Sequence, residues 1–448
     1  MRFARNNDYQ AFTRRAAMRA GVAAGLASLA GFGRSPRNAV SKAATKLRPP
    51  KILVAFSWSF KNIGDIAITP GLFRLLEEYV PSARITLICN SSIDQYRAYL
   101  SKRFPDVRTV YTPFRSSKPA PKEFRQAFEE ADFLLYNSGT TLSYGRWERN
   151  WNRTMPLAMP LFMARIHGKP YGIYCQSFER FAPPSDLLFP KLLSDAQFVF
   201  CRDTDSLEYL KSLGVQPPVL EFGPDSTFAF NLRDEAFADR FLARHRLQPR
   251  RFITLTIRSR VQGFLDEKRE QAHAAKLRRL VIHYVRKTGE HVLVCPEVDR
   301  EIEPARRLIF EPLPDDVKAQ VRLKESFWLP DEAFSVFANA RAIVSMEMHS
   351  VILALAAGTP ALHPAFAEAG RKRWMLRDIG LAHWLFDIDH VSAATLTDAL
   401  FAICRDYSNA LRRVETAMNF VRRRQRETMA VVRNALLQRK KQSTGKQG

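Results

Sequence analysis

From residue 51 onward, short apolar runs alternate with stretches whose apolar positions recur at helical spacing. The first seven runs are "KILVAFSW", "ARITLIC", "VRTVY", "FLLYNSG", "PYGIYCQS", "FVFCRD" and "PVLEFG". Continuous runs of this length, rich in β-branched and aromatic residues, predict strands buried on both faces of a parallel sheet. Between them, "TPGLFRLLEEYV" and "TDSLEYLKSLGV" predict helices, the second closing on Gly214. A polar helical stretch follows Pro224, and at about residue 250 the alternation restarts with "RFITLTIRS", "EHVLVCPE", "QVRLKES", "AIVSMEM" and "TPALHPAF". The pattern predicts two doubly wound α/β domains, 51–240 and 250–405, followed by a long basic helix and tail over 406–448.

Composition changes this picture little. With 448 residues, two cores are expected, and 46% hydrophobic with 25% charged residues is a globular balance. The net charge of +24 suggests nucleic acid until it is located. Residues 1–50 hold ten Lys/Arg against one Asp, and residues 420–448 hold nine against one Glu, which leaves +7 for the body. The body carries no zinc-finger spacing, RNA-binding signature or basic stripe with interleaved aromatics, so a nucleic-acid partner is not expected. Its mild positive charge suits an anionic substrate. The five cysteines (Cys89, Cys175, Cys201, Cys295, Cys404) stand singly and read as buried thiols, with no metal or disulfide framework and no cofactor implied.

"TRRAAMRAGVAAGLASLAGFG", from Thr13 to Gly33, pairs arginines with an uncharged run too short and too weakly hydrophobic to span a bilayer. Arg14 and Arg15 resemble the twin-arginine export signal, with a basic amphipathic leader as the plainer alternative. Ala39-Val40-Ser41 is a candidate cleavage site, and residues 34–50 read as linker. The expected location is the periplasm or cell envelope, with the cytoplasm as the alternative. No other run is long and apolar enough for a transmembrane span.

Candidate chemistry gathers where strands end, as binding loops do. In "KNIGDIAITP", Gly64 and Asp65 serve either as turn and helix cap or as a ligand loop beyond the first strand. "NSGTTLSYG" places Gly139 where backbone amides can approach a ligand. Gln176 and Ser177 follow the fifth strand. Arg202 and Asp203 follow the sixth, as an ion pair fixing a helix or as ligand groups. Arg258 and Arg260 end "TLTIRSR", and either can fork onto a carboxylate or phosphate. In "SMEMHSVILALAAGTP" a strand ends at Glu347 and His349 before a small apolar helix. The helix dipole disfavours an imidazolium there, and Glu347 is expected to offset it, making His349 an acid–base residue in place of an inert core histidine. Lys372 in "AGRKRWMLRDIGL" is a binding cation or part of a solvated basic face.

The order of these motifs resembles the polysaccharide pyruvyl transferase family over roughly Lys51 to Leu381. The resemblance rests on Asn62, Gly64 and Asp65, on "NSGTT" and "YCQSF", and on Arg202, Asp203 and Ser206. Asp225, Arg258, the "MHS…A…GTP" segment around His349, and Lys372 complete it. It implies two Rossmann-like halves facing across a cleft, similar to the GT-B architecture. It also implies transfer of a pyruvyl group from phosphoenolpyruvate to sugar hydroxyls of a polysaccharide or glycan-lipid as a ketal, with no metal. His349 and Asp65 would be catalytic. Arg258, Lys372, Glu347 and Arg202 would lie on the donor side, and Asn62, Gly64, Gly139, Thr140 and Gln176 on the acceptor side. The chain departs from the family in a turn poorer in glycine and in Glu347, where the family usually has Arg. An exported glycan-binding protein, or a glycosyltransferase-like enzyme with another donor, is the alternative.

Overall fold

Among the described residues, twelve of the thirteen strands fall on the predicted runs. The computed structural model describes residues 48–112, 120–143, 151–260, 263 and 265–437, so the leader, its cleavage site and the basic tail beyond 437 lie outside the described residues. The first sheet comprises β1 (Lys51–Ser57), β2 (Arg84–Cys89), β3 (Arg108–Tyr111), β4 (Phe133–Tyr136), β5 (Tyr171–Gln176), β6 (Val199–Cys201) and β7 (Leu220–Phe222). The second comprises β8 (Phe252–Thr256), β9 (His291–Val294), β10 (Val321–Leu323), β11 (Ala342–Ser345), β12 (Ala361–Ala365) and β13 (Leu385–Asp387). β13, a three-residue, partly exposed strand at the edge of the second sheet, is the one that the sequence pattern missed.

Every named pairing is parallel, in the orders β3-β2-β1-β4-β5-β6-β7 and β10-β9-β8-β11-β12-β13. Central strands are apolar throughout because helices cover both faces: Leu53, Val54 and Ala55 of β1 are all fully buried. Each order reverses once, between β1 and β4 and between β8 and β11. Open α/β sheets bind ligands beyond the carboxyl ends of their strands at such reversals. The loops and first helical turns there carry Asn62, Asp65 and Gly139 in the first half, and Arg258, Glu347 and His349 in the second.

Two helices tie the halves together. The helix Ile63–Tyr79 begins six residues before the predicted start at Thr69, because Pro70 sits inside it and disguises the period. Its Ile63 and Ala67 are buried in the core of the second half, while Leu72, Phe73 and Leu76 pack under the first sheet. The helix Tyr407–Leu437 buries Val414, Ala417 and Val421 in the second core, then crosses back to bury Met429, Val432 and Leu436 in the first. Cys89, Cys175, Cys201 and Cys295 are buried free thiols, and Cys404 is half-buried. Among the described residues no helix is long and apolar enough to cross a membrane.

Candidate active site

Asn62, not Asp65, caps the helix Ile63–Tyr79. Its side-chain oxygen accepts from the amides of Gly64 (2.7 Å) and Asp65 (3.2 Å). This relieves Asp65 of capping and leaves its carboxylate in the wall of a cavity of about 380 Å³. Gly64 is helical, so it supplies no special backbone angle. Its value is close approach: a Cβ there would lie 2.3 Å from the Cγ and Nδ1 of His349. The Asn-x-Gly-Asp stretch therefore sets a helix amino end directly against the histidine of the other half.

The adjoining backbone locks this contact. Ile63 N–H donates to the Glu297 carbonyl (3.0 Å), and Asp299 N–H donates to that of Lys61 (2.9 Å), closing an antiparallel bridge between Asn62 and Val298. On the far side of the cavity the segment Ala367–Trp374 is held to the first half. Arg371 donates its N–H to Glu179 (2.8 Å) and its guanidinium to the Phe178 carbonyl (2.5 Å), and stacks over Tyr209 at 4.1 Å. That anchoring places Lys372 in the cavity wall, where burial pushes its ammonium below the usual lysine range, with Glu347 the largest opposing influence.

His349 lies in the first turn of the helix Met348–Ala356 and also lines the cavity. Its Nδ1 stands 3.5 Å from Glu297 Oε1, and its buried Nε2 has no hydrogen-bond partner. The other Glu297 oxygen accepts from the N–H (2.7 Å) and hydroxyl (2.8 Å) of Ser350. Burial opposes ionisation of Glu297, but the neighbouring His349, with Lys372 and Ser350, holds it below the usual carboxylate range. Glu297 is the functional candidate that sequence reasoning missed. It follows β9 in "CPEVD", which reads as an ordinary turn, and only the fold brings it to His349.

The expected partnership of Glu347 with His349 is replaced by another. Glu347 ends the loop before the helix, and its carboxylate pairs with Arg258 in a buried salt bridge. The helix geometry that begins at Met348 turns the two side chains apart, so they do not share a strand face. Arg258, which stacks over Phe366 at 5.6 Å, and Glu347 neutralise one another behind the cavity instead of lining it.

In the first half, Arg202 lines the cavity while donating from Nε to Ser177 (2.9 Å), from Nη1 to Asp225 (2.6 Å) and from Nη2 to Thr140. The Ser177 hydroxyl in turn donates to Asp203 (2.5 Å), which also caps the next helix through Ser206 N–H (2.7 Å). Burial raises Asp203 to about 6 against these bonds. Arg202 thus pairs with Asp225, and Asp203 is the cap. Gly139 (φ 154°) and Thr140 line the cavity. Gln176, predicted on the acceptor side, is instead fully buried beneath this turn. Its amide donates to the Asn137 carbonyl, and its oxygen accepts from Thr141 N–H and hydroxyl, both at 3.2 Å. It shapes the wall without forming it.

Asp65 completes the set. Burial raises its carboxyl above the usual range, against the opposing charges of His349 and Lys372. The cavity therefore brings a carboxyl, an imidazole backed by a carboxylate, and two cations together with Trp58, Ile68 and Leu157. Proton transfer to and from a small anionic substrate, held by cations in a half-open cavity, is within the reach of such a set. Among the described residues no group of His, Cys, Asp and Glu is arranged to hold a metal.

Solved structures share this architecture. The S. aureus MnaA structure with UDP superimposes with a TM-score of 0.54 at 13% identity, covering 82% of this chain and 91% of that one. UDP-GlcNAc 2-epimerase from Neisseria meningitidis, bound to UDP-GlcNAc, gives 0.54 at 12% identity, covering 85% and 99%. Medicago truncatula UGT71G1 complexed with UDP-glucose gives 0.53 at 12% identity, covering 87% and 98%. These are GT-B folds, and at such identity the likeness defines the fold alone. No curated protein sequence matches the chain. The family profile described as polysaccharide pyruvyl transferase matches residues 62–363, a span that opens on Asn62 and takes in Asp65, Arg202, Glu297 and His349. The chain belongs to the polysaccharide pyruvyl transferase family.

Proposed function

We propose that the protein transfers the pyruvyl group of phosphoenolpyruvate to two hydroxyls of a sugar in a polysaccharide or glycan-lipid, forming a ketal. The observation that carries this reading is His349: a cavity-lining imidazole with one nitrogen on Glu297, the other unpartnered, and Asp65 and Lys372 in the same wall. Lys372 and Arg202 attract the donor's carboxylate and phosphate. Protonated His349, held by Glu297, gives its proton to the methylene carbon, which becomes a methyl group as cationic character develops on the neighbouring carbon. A sugar hydroxyl attacks that carbon and passes its proton to Asp65. Phosphate then leaves with that proton, and the second hydroxyl closes the ketal and returns its proton to His349. Asp65, raised by burial, suits the transient proton.

The experiment is product analysis in deuterated water. One solvent deuteron should enter the new methyl group for each phosphate released. His349→Gln should lower turnover by about 10³-fold with donor affinity nearly unchanged. Full activity in that variant would remove the histidine from the mechanism. A second reading, a nucleotide-sugar donor, draws on the Arg258–Glu347 pair, which leaves fewer unpaired cations for a small trianion. The twin-arginine leader extends the proposal to an enzyme exported to the cell envelope. Arg14→Lys with Arg15→Lys should retain a reporter fusion in the cytoplasm, and unaltered export would refute it.

A further inference from the structure

The helix Tyr407–Leu437 does more than join the two cores. Its outward face carries Arg412, Arg422, Arg423, Arg426 and Arg433, all exposed, at spacings that keep them on one side of the helix over roughly 30 Å. None of these five has a carboxylate within 4.0 Å, among the described residues. Arg424, one position away and half-buried, shows the contrast: it pairs with Glu221 at 3.1 Å and with Glu427. The remaining exposed acid on the face is Glu415. An arginine that only solubilises a helix gains from neighbouring acids, and charges of one sign left together repel. The proposed chemistry uses none of these residues, which lie outside the cavity.

Leu437 supplies the second observation. It is 41% exposed, and its spacing from Arg412, Arg423 and Arg426 puts it on the arginine side at the end of the stripe. Leu411, 36% exposed, flanks the other end. Arg422 donates to Asn419 (2.7 Å) and Arg423 lies over Phe420 at 5.3 Å, but a row of guanidinium groups without carboxylate partners, flanked by exposed leucines, fits a surface that is anionic at its face and apolar just beneath. A soluble polyanion would have no use for the leucines.

We propose that this helix face docks the protein on a bilayer containing anionic phospholipid, with the guanidinium groups on headgroup phosphates and Leu437 in the interfacial layer. The face is independent of the transfer chemistry and remains if the donor assignment changes. The test is sedimentation of the full chain with phosphatidylcholine vesicles, with and without phosphatidylglycerol, and with dextran sulfate as the soluble polyanion. The wild type should bind only the anionic vesicles, and less tightly as salt rises. Each arginine near such a surface contributes about fivefold, so R422Q/R423Q/R426Q/R433Q should weaken binding by more than about a hundredfold. Leu437→Ser should weaken it severalfold while leaving the salt dependence. Equal binding by the fourfold variant would place the attraction in the chain termini and overturn the proposal. So would absence of binding by the wild type, or dextran sulfate competing fully with Leu437→Ser unaltered, which would mark a polyanion site.

Discussion

At the residue scale the account turns on which carboxylate serves His349. Sequence adjacency pointed to Glu347, but Glu347 is committed to Arg258 and the partner is Glu297, fifty-two positions upstream. Such a pairing cannot be read along the chain, because it depends on how β9 and β11 lie on either side of β8. Glu297→Gln keeps an oxygen for Ser350 and removes the charge beside the imidazole. The alkaline limb of the pH–rate profile should shift to lower pH, and turnover should fall about tenfold or more at neutral pH. Glu347→Gln should instead strand Arg258 and cost about 3 kcal/mol of stability without that shift in the profile. A pH–rate profile for each variant separates the two roles, and a shift confined to Glu347→Gln would restore the sequence-based pairing.

At the element scale the strands were legible, as was the start of the helix at Thr204, but the start of the helix at Ile63 was not. Runs such as "FLLY" and "AIVS" show their burial directly, since each residue is apolar or small and covered on both faces. The start of the helix Ile63–Tyr79 was hidden by Pro70, and with it the reason for Gly64, which is contact with His349 rather than backbone freedom. A second histidine, His363 on β12, shows the cost of such burial. Its Nδ1 donates to the Ser345 carbonyl (2.8 Å), its Nε2 is unpartnered, and burial lowers it to about 4. The neutral form is the folded form. Stability is therefore complete above the unfolded value of 6.5 and falls as pH drops towards 4, by about 3 kcal/mol in total. Denaturant titrations between these limits should show that slope, and His363→Gln should flatten it. An unaltered slope in the variant would assign the acid sensitivity to other groups.

At the scale of the whole molecule, the residues to which the transfer is assigned here come from both halves, and each half alone holds an incomplete set. Asp65, Thr140 and Arg202 follow strands of the first sheet, and Glu297, His349 and Lys372 follow strands of the second. The bridge between Asn62 and Val298, the Arg371 anchor and the crossing helix Tyr407–Leu437 hold them to one geometry. The order of motifs identified the architecture, because strand-end loops converge in any such fold. It did not reveal the clamp, because backbone pairing between distant loops leaves no composition signature. The central claim is that this joint cavity takes a small enolic phosphate. Calorimetric titration of the full chain with phosphoenolpyruvate, and separately with UDP-sugars, measures it directly. Phosphoenolpyruvate should bind with a dissociation constant in the micromolar range typical of such substrates, and Lys372→Met should weaken it by about tenfold or more. Saturable binding of a UDP-sugar with no heat from phosphoenolpyruvate would contradict the account.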